Sequence, residues 1–330
     1  MRTFKRMIPL LAAIAVLQLV FRFGLPYVWW DGLHWWEGIG TFWGSDNQID
    51  IAQQISVNAI LAFGMTLTIL IGGIDLSVGA LVALVGTTTV YILTLGGSGH
   101  QDVWLLAGAV LAGLGAAAAL GAFNGLCAAK TKMPPFIITL ATMLVARGAA
   151  LRFNEGRPMH VADCHKVFLS LGNGRLFGVV PIPVIVMATL FVLTAILLHR
   201  TRFGQHLYAM GGNREAARFT GIPLVRVEIV VYMICSVLAG VAGMIHASQL
   251  YSAEPASGVG FELNAIAAAV VGGTSFTGGR GAMVGTLLGA VIIGILDKGL
   301  NQAGVHFSLQ YIVKGLVILA AVYLDVRRRK

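Results

Sequence analysis

The chain is short of charge. Of its 330 residues only 11% are Asp, Glu, Lys or Arg, where an average soluble domain carries about a quarter, and 57% are hydrophobic. From Ile51 to Gln101 a single charged side chain, Asp75, interrupts the apolar sequence. Such a chain cannot cover itself with a solvated surface, so it is expected to lie in a membrane. Cysteine is scarce too: Cys127 and Cys235 lie in apolar segments, and Cys164 stands alone in a polar loop. An odd count with no paired spacing supports no disulfide framework and no redox motif. A nucleophile, a base and an orienting group do not come together in any motif, which argues against an enzyme. Acidic residues number 14 against 23 basic ones, a net charge of +9. In a soluble protein that balance would point to nucleic acid. Here the basic residues cluster between apolar segments, where they orient a chain in the bilayer.

A hydrocarbon layer about 30 Å thick needs roughly 20 apolar residues as helix, so the length leaves room for eight to ten spans and no soluble catalytic domain. The expected spans are 8–26, 51–71, 76–96, 103–128, 135–152, 179–198, 227–250, 262–274, 283–300 and 309–325. The fold class is therefore all-α, one polytopic membrane helical bundle over residues 1–330 with about ten transmembrane helices. The 262–274 segment is short for a crossing and reads as half of a broken or re-entrant helix. The N-terminus has the basic start and apolar run of a signal peptide, but no small-residue cleavage site follows, and it reads as an uncleaved first span. With Arg2, Lys5 and Arg6 in the cytoplasm, ten crossings return the C-terminal basic run to the same side. The cytoplasmic face then holds 15 of the 23 Lys and Arg, as the positive-inside rule requires.

Three loops stand out. The extracytoplasmic stretch 26–49 holds five of the six tryptophans, the pattern of an interfacial anchor against membrane lipid. The polar loop 153–178 contains His160, Asp163 and His165, but nothing fixes a metal geometry, and it reads as a solvated loop suited to docking an external partner. The cytoplasmic loop 199–226, HRTRFGQHLYAMGGNREAARFTGIPLVR, is the longest basic connection. Within it Asn213 can cap a short Ala-rich helix that closes near Gly221, with Pro223 beyond.

Two glycine-rich turns echo one another, GGIDLSVG at 72–79 and GGTSFTGGRG at 272–281. Each breaks an apolar run with glycine and follows it with hydroxyl residues, Ser77 in the first and Thr274 and Ser275 in the second. The second has the glycine spacing of a phosphate-binding loop, but Gly279 and Arg280 stand where Lys and Ser or Thr are needed. No nucleotide site is found, so ATP-driven work would need another subunit. Three roles fit Asp75: cap of a helix starting at Leu76 or Ser77, part of the solute path, or a proton or ion site as in secondary transporters. Asn58, Thr66, Thr68, Asn124, Thr139 and Thr142 could line a polar path, although each can also bond its own helix or a neighbour.

The Glu215-Ala216-Ala217, three residues, Gly221 pattern resembles the motif by which permeases of ATP-binding cassette importers contact their ATPases. Three more stretches resemble the ribose/xylose/galactose class of these permeases: GMTLTILIGGIDLSVGALVAL at 64–84, FNGLCAAKTKMPPFIITLATMLVARG at 123–148, and ELNAIAAAVVGGTSFTGGRGAMVGTLLGAVIIG at 262–294. The resemblance covers about residues 50–325. It implies a monosaccharide permease of the bacterial inner membrane with both termini cytoplasmic. Its partners would be a cytoplasmic ATPase, a second permease copy or homologue, and a periplasmic sugar-binding protein. ATP and Mg would bind the ATPase, with no cofactor on this chain. Asn213, Glu215, Ala216, Ala217 and Gly221 would couple to the ATPase. Asn264 departs from the family pattern, which has Asp there. The rival readings are a permease for branched-chain amino acids, nucleosides or another small solute, and an ion-coupled transporter centred on Asp75.

Overall fold

The computed structural model describes residues 2–21, 45–96, 103–131 and 133–327. The Trp-rich stretch lies outside them except for residues 45–49, which open a helix. Helices α1 (Arg2–Leu19), α2 (Ser45–Leu70), α3 (Val78–Leu95), α4 (Val103–Lys130) and α5 (Pro135–Arg152) come first. After a 3-10 turn follow β1 (Met159–His160), α6 (Lys166–Asn173), β2 (Arg175–Leu176) and β3 (Val180–Pro181). Helices α7 (Ile182–Arg200), α8 (Arg202–Gly212), α9 (Arg214–Phe219) and α10 (Leu224–Gln249) lead to β4 (Ser252–Ala253). The chain then forms α11 (Phe261–Val271), α12 (Met283–Gln302) and α13 (Phe307–Arg327).

Each expected span falls on a helix, but seven helices among the described residues are long and apolar enough to cross a bilayer: α2, α3, α4, α5, α7, α10 and α12. The remaining three carry shorter apolar runs, Met7–Leu19, Phe261–Val271 and Phe307–Ala320. Helix α11, with 11 residues, rises only about 16 Å, half of a bilayer core. It is preceded by the strand β4 and a run of turns to Gly260, in which Gly258 lies against the backbone of Gly79 at the start of α3. The short helix read from the sequence is therefore present, entered through non-helical chain that is partly buried against protein.

Helix α10 is the centre of the bundle, packing on α2, α3 and α4. Its fit against α4 is written as small residues every fourth position: Ala109, Gly113, Ala117, Gly121 and Gly125 are all buried. A Cβ at Gly121 would lie 2.6 Å from Tyr232 O, and one at Gly125 would lie 2.5 Å from Ile229 Cα. Small side chains at i, i+4 let two backbones approach where lipid supplies no hydrophobic drive. The outer helices expose Leu111, Leu144, Leu193 and Leu319, apolar faces that suit acyl chains.

The loop 153–178 exposes Asn154, Glu155, Arg157, His160, Asp163 and Lys166 but anchors its apolar residues on the bundle. Met159, Val161 and Phe168 are buried in a second apolar cluster with Val85, Val90 and Met244. Strand β1 pairs antiparallel with β4, Met159 opposite Ala253. Ser248 of α10 donates to Phe168 O (2.9 Å) and accepts from Gly172 N (2.8 Å), and Asn173 Nδ2 donates to Ser248 O (2.7 Å). Burial of its apolar residues and satisfaction of its backbone fold the loop onto the bundle. His165 is buried while His160 and Asp163 are exposed, so the three do not converge.

Candidate functional site

The loop 199–226 is a chain of short helices. Thr201 caps α8 by accepting from Gly204 N. Asn213 closes α8 and opens α9, its side chain accepting from Ala216 N at 2.9 Å. Helix α9 then ends as Gly221 N donates to Arg218 O (3.1 Å) and Ile222 N to Ala217 O (3.2 Å). Those two bonds, with Gly221 at φ +82°, are a Schellman motif, which needs a residue free to adopt left-handed backbone. The spacing of Glu215-Ala216-Ala217 to Gly221 is thus the length of a helix of under two turns plus its glycine stop. Of the four motif residues, Ala217 is buried in this chain's own core, while Glu215, Ala216 and Gly221 are exposed. Phe219 is 86% exposed. The helix presents the Phe219 ring, Glu215 and Arg218 outward, with Ala217 buried beneath.

The two glycine-rich turns share the same stop. Gly72 N donates to Ile69 O and Gly73 N to Thr68 O, both 2.9 Å; Gly273 N donates to Val270 O (2.9 Å) and Thr274 N to Ala269 O (3.0 Å). Gly72 and Gly273 have positive φ, so α2 and α11 end in equivalent Schellman motifs, which accounts for the sequence echo. The turns also touch, and the loop 199–226 touches both. Gly279 N donates to Leu70 O at 2.9 Å. A Cβ at Gly278 would meet Leu70 O at 2.9 Å and Gly72 N at 3.0 Å; one at Gly211 would overlap Leu70 O and Gly279 N. Tyr208 of α8 donates its hydroxyl to Gly281 O at 2.7 Å, and burial pushes this phenol above its ordinary range, keeping it a neutral donor. The ends of α2, α8 and the second turn therefore meet backbone to backbone.

Asp75 does not cap a helix that starts at Leu76 or Ser77, because α3 begins at Val78 and Ser77 is the residue before it. Its Oδ1 accepts from Ser77 N (2.9 Å) and Ser77 Oγ (2.5 Å), the Asx-turn pattern. Ser77 Oγ in turn accepts from Asn124 Nδ2 (3.2 Å), and Thr142 donates to Asn124 Oδ1 (2.5 Å). Thr139 accepts from Leu76 N and lies within reach of Ile74 O, both 3.1 Å. These residues, drawn from α4, α5 and the first turn, form one buried network around the break between α2 and α3, in which Asp75 Oδ2 has no hydrogen-bond partner among the described residues. Thr66 bonds Ala62 O (2.8 Å) and Thr286 (2.7 Å), and Thr68 bonds Met65 O (2.8 Å). Asn58 Oδ1 and Thr274 Oγ1 are buried without a hydrogen-bond partner among the described residues. Ser275 closes the second turn, its N donating to Arg280 O (2.8 Å) while its own carbonyl accepts from Gly278 N (2.9 Å).

Two charged residues inside apolar helices escaped the sequence reading. Arg147 of α5 donates to Pro255 O (2.8 Å) and Ser257 O (2.5 Å), pinning the turns before α11. Glu228 of α10 pairs with Arg214 of α9. A charge within an otherwise apolar run was the available signal for both.

The described residues form a polytopic helical bundle with seven helices long and apolar enough to cross a membrane, the architecture of a membrane permease. The chain belongs to the family described as the permease component of the branched-chain amino acid transport system, whose model matches residues 47–322. It is 45% identical over 291 residues to the ribose import permease protein of Escherichia coli (strain K12), covering 88% of each chain. The L-arabinose transport system permease protein of the same strain is 34% identical over 284 residues, 86% of this chain and 84% of that one. Its D-allose transport system permease protein is 38% identical over 286 residues, again 86% and 84%. No solved structure matches.

Proposed function

We propose that this chain is the membrane-spanning permease subunit of an ATP-driven importer that carries a monosaccharide into the cytoplasm by alternating access. The observation that carries the proposal is the similarity, over most of the chain, to permeases named for ribose, arabinose and allose, three monosaccharides. The family description names branched-chain amino acids, but those names favour a sugar. ATP would be bound and hydrolysed with Mg on a separate cassette subunit, which Glu215, Ala216, Phe219 and Gly221 would meet from the cytoplasm. A periplasmic sugar-binding protein would deliver the solute, and a second copy or homologue would complete the path. Both termini would lie in the cytoplasm of a bacterial inner membrane. In that topology the non-helical segment 252–260 with α11 would make one of ten crossings, and α1 and α13 two more.

The geometry supports a direct mechanical route. Displacement of α9 moves α8, and α8 meets Leu70 and Gly279 through Gly211. The ends of α2 and α11 are thereby the first membrane elements to feel the ATPase. The test is reconstitution with the cognate ATPase and binding protein in proteoliposomes, and measurement of ATP-dependent uptake of radiolabelled ribose, arabinose, allose and leucine. Uptake of at least one sugar and not leucine is expected. Uptake of leucine alone would overturn the sugar assignment.

A further inference from the structure

Helix α9 is a short element between two open junctions. Before it, Gly212 is exposed, with nothing within 4 Å of the position a Cβ would take. After it, Gly221 has positive φ and is equally open. Its backbone link to α8 passes through Asn213 and its link to α10 through the turn at Gly221. We infer that the ion pair between Arg214 and Glu228 is a further tie that makes α9 and α10 move as one body; the inference rests on the importer reading above.

Arg214 is the first residue of α9, the end where the aligned peptide dipoles present positive charge and a cation is locally unfavourable. Its guanidinium reaches across the loop to Glu228 Oε1. Glu228 lies one turn inside α10 and is only 3% exposed, while the Arg214 side chain is 45% exposed. Its other oxygen, Oε2, is buried without a hydrogen-bond partner among the described residues, so Arg214 carries its compensation. A buried carboxylate whose single countercharge sits on a neighbouring element holds that element strongly, because separating them strands the charge.

The attachment point is well placed to pass motion on. A Cβ at Gly125 of α4 would lie 2.8 Å from Glu228 O, so α10 abuts α4 backbone to backbone at the very residue that holds Arg214. One turn further, Tyr232 is buried with its hydroxyl against Gly73 of the first glycine-rich turn. A pull on Arg214 thus enters the bundle at Glu228 and reaches α4 and the end of α2 together. This route is separate from the one through Gly211.

The test uses the whole transporter in proteoliposomes, comparing wild type, Glu228→Gln and the charge swap Arg214→Glu with Glu228→Arg. Sugar transported per ATP hydrolysed is measured beside ATPase co-purification. Glu228 is buried away from the ATPase face, so Glu228→Gln should retain the ATPase and hydrolyse ATP. Its sugar-to-ATP ratio should fall about tenfold, the scale of a typical coupling between sites. The swap should restore the ratio to within about threefold, which a role in general stability alone would not produce. A wild-type ratio in Glu228→Gln overturns the proposal, as does a swap no better than the single variant. Should Glu228→Gln fail to insert, the swap alone decides by the same criterion. Failure of the importer reading is distinguishable, because wild type itself would then bring no ATPase.

Discussion

Gly221 and Asp75 show how much a single residue's backbone decides. Gly221 must hold φ +82°, yet a side chain there would enter open space. Left-handed backbone costs about 1–2 kcal/mol for most residues and less for Asp, so Gly221→Asp is expected to insert and fold. Its defect should be loss of ATPase binding, read by co-purification. Asp75 serves the backbone and hydroxyl of Ser77. Asp75→Asn keeps an acceptor there and should transport within about threefold of wild type, since an exchanged acceptor loses far less than an unmade bond. Asp75→Ala leaves Ser77 N unsatisfied in a buried turn and should cost about 1–3 kcal/mol, measured as a lower Tm in detergent. Abolition of transport by Asp75→Asn in a normally folded protein would favour ion coupling instead.

At the scale of elements, the short helix α9 and the junction below it are the parts most open to test. Asn213→Ala removes the cap on Ala216 N and should weaken α9 by about 1 kcal/mol, lowering sugar transported per ATP without reducing the amount inserted. Gly211→Ala drives a methyl into Leu70 O and Gly279 N, backbone atoms that cannot rotate away, and overpacking of this kind costs about 1–3 kcal/mol. Gly212→Ala, next to it and facing open space, should leave Tm unchanged. The two thermal melts together check the junction. Helix α9 was legible in the sequence because its determinants are local: a cap, alanines, a glycine stop and a proline within eleven residues. The half-helix α11 was legible for the same reason, as an apolar run too short to cross. The anchoring of the loop 153–178 was not, since Ser248, which satisfies it, lies more than 70 residues further along the chain. Nor was the Arg214–Glu228 pair, because a charge in an apolar run marks Glu228 but not its partner, which lies on another element. Asn124, Thr139 and Thr142 were picked out as polar groups among apolar spans, but only the fold shows that they serve the break at Asp75 rather than open space.

For the whole molecule, the low charge, the outward apolar faces and the glycine-broken helices fit one task, a bundle whose halves can shift while its backbone stays satisfied inside lipid. In the importer reading the energy for such a shift comes from a separate ATPase, and the capped, exposed helix α9 with Glu215 and Phe219 is the surface proposed to meet it. Transport in proteoliposomes should therefore stop when ATP is withheld and persist when ionophores collapse ion gradients. The most direct single measurement is mild-detergent purification of the tagged chain from its native membrane, wild type beside Gly221→Asp, with mass spectrometry of what remains bound. An ATP-binding cassette protein that accompanies wild type and is lost from the variant is the predicted result. A protein recovered without any ATPase in both samples would contradict the account.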